Sequence, residues 1–558
     1  MRLGLLLESF QVPAWVWTAI RELRSSSEAQ LAVVATVAGR SSPVAGEPGV
    51  ADRLLARLDA LGDRPLPRDE DAFDTRDATA LLAGLPGQPL RRSGEGTGET
   101  FAPDDVAAVR AMDLDVLLWF GRGSLRGGIL AAAKAGVWAF ELGDDRVKRG
   151  GPTGFWEVHG SWPVTGAALQ ILADQPDDNR TLARTSIATV PTSVTRTRSA
   201  LAWSALPMLP RMLARLAREG PAAFLERVAR EQVPAFYSNR LFGSPSAGDL
   251  LVHAARRSAR LAGLVARTVL TRRQWTLYLG MGDDLVQACW RLRPLAPPAD
   301  AFWADPHILQ VGDRYFVFIE EVRYASGKGH ISVIEVDRDG RAGPARTVLE
   351  APHHLSYPFV FEHDGEFFMI PESSAGSTID LYRAAAFPDE WVFVEHLMTD
   401  INAVDATLLR EGDRWWLFAS VTGHRGAGTG ELHLYISDRL LGGEWRLHPA
   451  SPISSDVRAA RPAGAILRRN GRLYRPAQDG SGTYGRAIGL HEILELTETT
   501  YREQLVSTIE PNWNDRISRT HTLAHVGRLT VLDALWRQRR WTLRRARSPI
   551  AVPAPPEA

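Results

Sequence analysis

The sequence predicts a multidomain protein, with an α/β doubly wound domain first, a helical connecting region next and an all-β five-bladed propeller last. Three observations carry this. Apolar strands alternate with helices over the first 185 residues, the stretch after them is Arg-rich with apolar residues at helical spacing, and the C-terminal half repeats one hairpin five times.

Taken in order, residues 3–7 (LGLLL) are an unbroken apolar run, which reads as a parallel strand buried on both faces. A helix around Ala14–Leu23 follows, with Trp15 and Trp17 near its start, and then a second apolar strand, LAVVATVAG, from Leu31. A helix capped near Asp104 precedes the strand DVLLWFG from Asp115. A Gly-rich turn from Gly121 to Gly128 and a further strand, GVWAFELGDD from Gly136, complete the alternation. Such a sheet places its ligand crevice at the carboxyl ends of its strands. The stretches near Arg64–Asp71 and Arg91–Asp105 read as loops.

From Ser199 to Arg272 the chain is helical and basic, which reads as amphipathic helices bridging two domains; the alternative is a face for an anionic membrane surface. WTLYLG after Gln274 and the Pro-rich LRPLAPPAD are expected to lead into the first blade. The expected divisions are residues 1–185, 186–273, 274–541 and a basic, Pro-rich tail at 542–558.

The repeated hairpin is clearest in FWADPHILQVGDRYFVFIEE from Phe302 to Glu321, an aspartate just before a strand, a Gly-Asp turn and an aromatic second strand. Its echoes begin at Ser356, Asp405, Arg461 and Ser518. The turn glycines Gly312, Gly365, Gly412, Gly471 and Gly527 are separated by 53, 47, 59 and 56 residues, about one four-stranded blade each. The opening residues of each copy should face the central channel.

Composition narrows the function. The 65 basic residues balance 65 acidic ones, so there is no overall basic excess to hold nucleic acid. The single cysteine, Cys289, excludes a disulfide framework and a Cys-based zinc site, and a cytoplasmic protein is expected. MRLGLLLESF is too short in its apolar core for a signal peptide, and no apolar run is long enough to predict a transmembrane helix. Abundant Ala and Arg point to a GC-rich bacterial genome. No metal site is predicted; His521 alone is a poor cation ligand set.

Between Asp115 and Leu172 the landmarks Gly136-Val137, Arg149-Gly150-Gly151-Pro152 and Thr165-Gly166 resemble the N-terminal domain of folate-dependent formyltransferases, over roughly the first 185 residues. The resemblance implies an Asn, a His and an Asp around a formyl group. Here the Asn position falls on Ala139, the His position on Glu141, and Asp177 lies near the aspartate position. Alanine has no donor and a glutamate repels an oxyanion, so a folate-type donor is not expected. Glu141, Asp144 and Asp177 remain the candidate pocket residues of this domain.

Asp305-Pro306, Ser356-Tyr357-Pro358, Arg461-Pro462 and the run from Arg475 to Asp479 resemble the propeller of family 43 glycoside hydrolases. More specifically they resemble the N-terminal domain of glucosamine inositolphosphorylceramide transferases, over about residues 275–541. The hydrolase resemblance implies a base in blade one, a modulating Asp in blade two and a Glu acid in blade three. Asp305 falls at the base position, Tyr357 at the second and Asp405 at the acid position, as Asp rather than Glu. Asp305 and Asp405 are therefore the catalytic candidates. Trp303, Tyr357, Glu321, Glu372, Arg461, Gln478, Asp479, Arg519 and His521, with Glu320, are the candidate binders of a polyhydroxylated ligand.

The expected function is action on, or binding of, a sugar or glycoconjugate through the propeller channel. The alternatives are a non-catalytic glycan-binding scaffold and a formyl or acyl transferase acting on an amino sugar.

Overall fold

The computed structural model describes residues 1–38, 70–93, 98–121, 123–144, 146, 150–233, 240–373, 376–424, 426–427 and 430–539. Arg122 and Arg149 of the N-terminal loops, most of the Arg64–Asp71 loop and the 542–558 tail lie outside the described residues.

The first domain is built on a seven-stranded sheet. Its spatial order is Gly87–Arg91, Gln30–Ala38, Arg2–Leu7, Val116–Trp119, Val137–Glu141, Val164–Ile171 and Arg180–Ala188. The first five strands run parallel, Val164–Ile171 runs against them, and Arg180–Ala188 pairs antiparallel to Val164–Ile171. The Leu run explains itself by its alternation. Leu3, Leu5 and Leu7 enter the core shared with the helix Ala14–Ser25, while Leu6 enters the core on the other face, against Val106 and Val109 of the helix Pro103–Arg110. At Gly4 a Cβ would lie 2.6 Å from Leu114 Cδ1, so the close approach of the neighbouring strand needs glycine there.

The basic helical stretch is more than a connector. Leu201, Trp203, Leu209, Leu213 and Phe224, from the helices Val194–Ala205, Met208–Glu219 and Pro221–Glu231, complete the same core as Leu3 and Trp138. The expected division at 185/186 falls inside the strand Arg180–Ala188. Trp203 also stacks on His424 of the propeller at 3.9 Å between ring centroids, so this layer joins the two domains as well as covering the sheet.

Five four-stranded antiparallel blades form the propeller. Blade one runs from Ala301 to Leu349, blade two from Ser356 to Met398, blade three from Ala403 to Leu447 and blade four from Arg461 to Ile509. Blade four carries an additional short strand, Leu467–Arg469, beside its second strand. The fifth blade differs from the sequence expectation. Thr271–Met281, which contains WTLYLG, is no lead-in; it pairs along its full length with Leu529–Arg539 and forms blade five with Leu523–Val526 and Arg293–Leu295. The ring is thus closed by a blade whose strands come from both ends of the propeller, so the last strand is held to the first by a sheet ladder. All five turn glycines have positive φ, and Asp364-Gly365 and Asn470-Gly471 place two consecutive left-handed residues in their turns, the geometry that matches strand twist.

Candidate functional site at the channel mouth

The inner strands of blades one, two and three share a local device. Pairing with the second strand slips between Ala304 and His307, between Ser356 and Phe359, and between Val404 and Thr407. Within these bulges Asp305, Tyr357 and Asp405 adopt φ of 51°, 41° and 53°, left-handed values that non-glycine residues rarely hold. The repeat positions singled out in the sequence are therefore the three strained ones. Each bulge re-aims its side chain toward the channel, and strain of this kind is held where the surroundings over-determine it.

Asp305 is buried. Its Oδ1 accepts from Thr522 Oγ1 at 2.9 Å and lies 3.5 Å from His521 Nε2, while its Oδ2 accepts from the Tyr357 backbone N–H at 3.3 Å. Burial pushes its carboxyl up to about 7; His521 opposes the rise, and Glu320, Asp405 and Asp533 add to it. His521 lies 2.5 Å from Asp533 Oδ2 through Nδ1 and stacks on Trp275 at 4.2 Å. Burial alone would lower its imidazole, but the carboxylates of Asp533 and Asp305 outweigh that and hold it up at about 9.

Asp405 has different company. Its Oδ2 accepts from Arg461 Nε and, at 3.0 Å, from Gln478 Nε2, and its Oδ1 accepts from Arg461 Nη2 at 3.3 Å. Both oxygens are engaged by donors, so this carboxylate is locked as an acceptor. Glu372 ends the second strand of blade two and accepts from the Asp405 backbone N–H at 3.2 Å. Burial, followed by the adjacent Asp405, pushes its carboxyl well above the usual range, although Arg461 lies 3.6 Å away and pulls the other way. Tyr357 does not offer a free face. It is fully buried, its hydroxyl accepts from the Gly464 N–H at 2.8 Å and meets Thr407 Oγ1 at 2.8 Å, and its ring packs edge-on against His307.

A second tier comes from the second strands. Glu320, Glu372 and Ser420 pair opposite Ala304, Ser356 and Val404, each just before the inner-strand position aimed at the channel, and Gln478 pairs opposite Arg461 itself. Asp533 takes the equivalent place in blade five, accepting from the backbone N–H groups of His521 and Thr522 at 2.9 and 3.0 Å and from Asp305 N–H at 3.1 Å. Sequence reasoning missed Asp533. Its signal was a lone charge inside the apolar run LTVLDALW.

Not every candidate converges. Trp303 is packed in the core between blades one and five with Leu277, Ile308 and Val531. Glu321 is held below its ordinary range by His330, against the penalty of burial, with Ser332 Oγ donating to it at 2.7 Å, on blade one. Asp479 ends the second strand of blade four and pairs with Arg486 at 2.5 Å across the loop to the third strand. Arg519 stands off the channel, lowered to about 10 by burial and by Arg273 and Arg537. In the first domain, Glu141 ends its strand at the carboxyl edge of the sheet and pairs with Ala168. Asp177 follows Ile171, which pairs with Trp138, and so lies toward the opposite edge. Asp144 sits instead at the domain junction, beside Gly166, Ser186, Ser455 and Asp456. The three do not form one pocket.

The junction itself abuts the channel mouth. Inner strands start and second strands end on this face, so the loops after the second strands lie there. Gly482 of such a loop donates to Pro163 O at 2.8 Å, and Ser186, on the outermost strand of the first domain, donates to Ser455 O at 2.9 Å. Arg211 pairs with Glu431 at 2.9 Å. The first domain thus walls the mouth beside blades three and four.

Asp305, His521 and Asp533 bring ligand atoms within 4.8 Å of one another. In this trio the carboxylates of Asp533 and Asp305 face the imidazole of His521 from two blades, the arrangement that holds it up at about 9.

Residues 285–524 match the family model described as Glucosamine inositolphosphorylceramide transferase 1, N-terminal. The chain is 38% identical over 206 residues to glucosamine inositolphosphorylceramide transferase 1 of Oryza sativa subsp. japonica and 34% identical over 206 residues to that of Arabidopsis thaliana. The aligned part is 36% of this chain and 27% of each relative, so the chain spans about a quarter of the length of the curated relatives it matches. Among solved structures, the α-L-arabinofuranosidase PaAbf62A of Podospora anserina covers 42% of this chain and 90% of its own, at 11% identity and a TM-score of 0.33. The native arabinanase of Bacillus subtilis covers 42% and 96%, at 13% identity and a TM-score of 0.32.

Proposed function

We propose that this protein binds a glycan or glycoconjugate at the channel mouth, with Glu372 and Asp305 exchanging protons with it and Asp405, Arg461 and Gln478 forming a fixed polar bracket. The observation that carries the reading is the contrast within one buried cluster. Two carboxyls are pushed up, Asp305 to about 7 and Glu372 well above its usual range, beside a third whose oxygens are committed to Arg461 and Gln478. Environments that separate neighbouring carboxyls in this way assign acid and base roles. Glu372, whose carboxyl burial pushes well above its usual range, is the proton donor; Asp305, pushed up to about 7, is the acceptor. This moves the acid role away from Asp405, whose hydrogen bonds leave it nothing to donate.

The match of the propeller to a transferase family named for a glycosylated lipid supports a saccharide-bearing ligand. The ring of Tyr484, half exposed and 5.1 Å from the Arg461 guanidinium, supplies a stacking face at the mouth.

A binding-only reading is favoured by one observation, that both oxygens of Asp305 and of Asp405 already have protein partners. A glycan panel read for both binding and bond cleavage separates the two. Cleavage abolished by Glu372→Gln, with binding kept, supports the acid assignment. Binding without cleavage by the unaltered protein leaves only the scaffold role. The formyl-transfer reading of residues 1–185 is carried by its sequence landmarks alone, and a thermal shift with a formyl-folate donor tests it.

A further inference from the structure

The helix Ala247–Leu270 is built inside out. It begins with a capping box between Ser246 and Asp249 and runs for 24 residues, so it is a well-formed helix rather than a frayed connector. Its polar residues face the protein. His253 and Arg257 are buried, Arg257 Nε donates to Thr192 O at 2.7 Å, and Arg260 Nη1 donates to Val158 O and Pro191 O at 2.8 and 2.7 Å.

Its apolar residues face out. Leu251, Val265, Val269 and Leu270 are 73%, 62%, 54% and 55% exposed, and with Val252 and the alanines at 255, 259, 262 and 266 they fall on one side at 100° per residue. No charged residue interrupts that side. A helix on a soluble domain ordinarily turns such a stripe inward.

Charge decides what covers it. Between Asp249 and Asp283 there is no acidic residue, while there are arginines at 256, 257, 260, 267, 272 and 273. Arg267, exposed, sits on the flank between the apolar and buried sides; Arg256 shares that flank, with its Nη1 donating to His159 O at 3.0 Å. A second copy docking by the same face would bring the flanking arginines of both copies together with Asp249 as the helix's one acid, and that carboxylate is already held in the Ser246 cap. An anionic lipid surface accepts the apolar side chains and attracts the flanking arginines together.

We propose that this helix lies in the interface of an anionic membrane and holds the protein there peripherally, with its outward apolar face among the acyl chains and Arg267 on its flank against lipid phosphates. The proposal stands independently of the chemistry in the channel.

The test is flotation of the full chain with vesicles of phosphatidylcholine plus phosphatidylglycerol, against vesicles of phosphatidylcholine alone. Binding to the anionic vesicles, weakened by added salt and reduced about tenfold or more in Val265→Glu/Val269→Glu, is the expected result. Both positions are exposed, so an unchanged melting temperature shows that this variant is folded. Arg267→Glu should weaken binding to anionic vesicles and leave the melting temperature alone. Failure of the unaltered protein to float, or undiminished flotation of the folded double variant, overturns the proposal. So does a dimer in solution that Val265→Glu/Val269→Glu converts to monomer, because the face is then a self-interface.

Discussion

Arg461 is the residue on which the channel cluster depends, and its removal yields a quantitative test. Arg461→Met keeps the aliphatic bulk and deletes the charge. Asp405, whose side chain is only 2% exposed, is then left with Gln478 as its side-chain donor and with Glu372 as a neighbouring carboxyl. Removing one partner of a buried ion pair costs about 3–5 kcal/mol, because the other charge stays buried. The Arg461 side chain is 30% exposed, so water can partly replace it and the lower end, about 3 kcal/mol, is expected. For a unit of the propeller's size that corresponds to a fall of roughly 6–12 °C in melting temperature.

The companion variant is Arg461→Met/Asp405→Asn, which removes both charges and retains a side chain that Gln478 can still meet. It should recover at least half of the loss. The assay is urea unfolding of the unaltered protein, both single variants and the double variant as a cycle, followed by tryptophan fluorescence. A loss below about 1 kcal/mol in Arg461→Met, or a double variant less stable than that single one, refutes the claim that Asp405 is a locked carboxylate.

Three further outcomes are expected. Ligand binding or turnover that needs the Asp305 carboxylate should fall as pH drops through about 7, and Asp305→Asn should erase that inflection in the pH profile. His521, held up at about 9 from its ordinary 6.5, contributes stability that is complete below about pH 6.5 and lost as pH rises through about 9; melting curves across that range should show the decline, and His521→Gln should flatten it. Gly464 has φ of 123° and a Cβ there would lie 2.0 Å from Leu523 O, so Gly464→Ala should cost more than about 2 kcal/mol in urea unfolding and detach the Tyr357 hydroxyl from its backbone donor.

The candidate site was legible in proportion to how local its causes are. Asp305, Tyr357 and Asp405 could be found because each sits a short, repeated distance before a turn glycine, and the bulges place all three in the same conformation. Glu372 and Gln478 were named as candidate binders, but their partners, and Asp533 altogether, follow from cross-strand register, which a bulge shifts and which the sequence does not display. Trp303 shows the opposite error. As an aromatic beside Asp305 it looked like a stacking platform, but strand alternation sends it into the core between blades one and five.

What the sequence by itself determined, then, is the kind of structure. Apolar runs with helical spacing between them make the first domain's sheet, and five Gly-turned hairpins make the blades, because turn chemistry and the two-residue period of a strand act over a few residues. Tertiary structure alone decided three things. Thr271–Met281 closes the ring with Leu529–Arg539, a pairing across some 250 residues that no local preference encodes. The surroundings of the channel carboxyls come from different blades: Arg461 and Gln478 of blade four hold the oxygens of Asp405, while burial pushes Glu372 and Asp305 up. The helix Ala247–Leu270, whose apolar spacing alone would place it in a core, turns that face outward because Arg257 and Arg260 find their backbone acceptors on the protein side, where His253 is buried against Phe155 and His159.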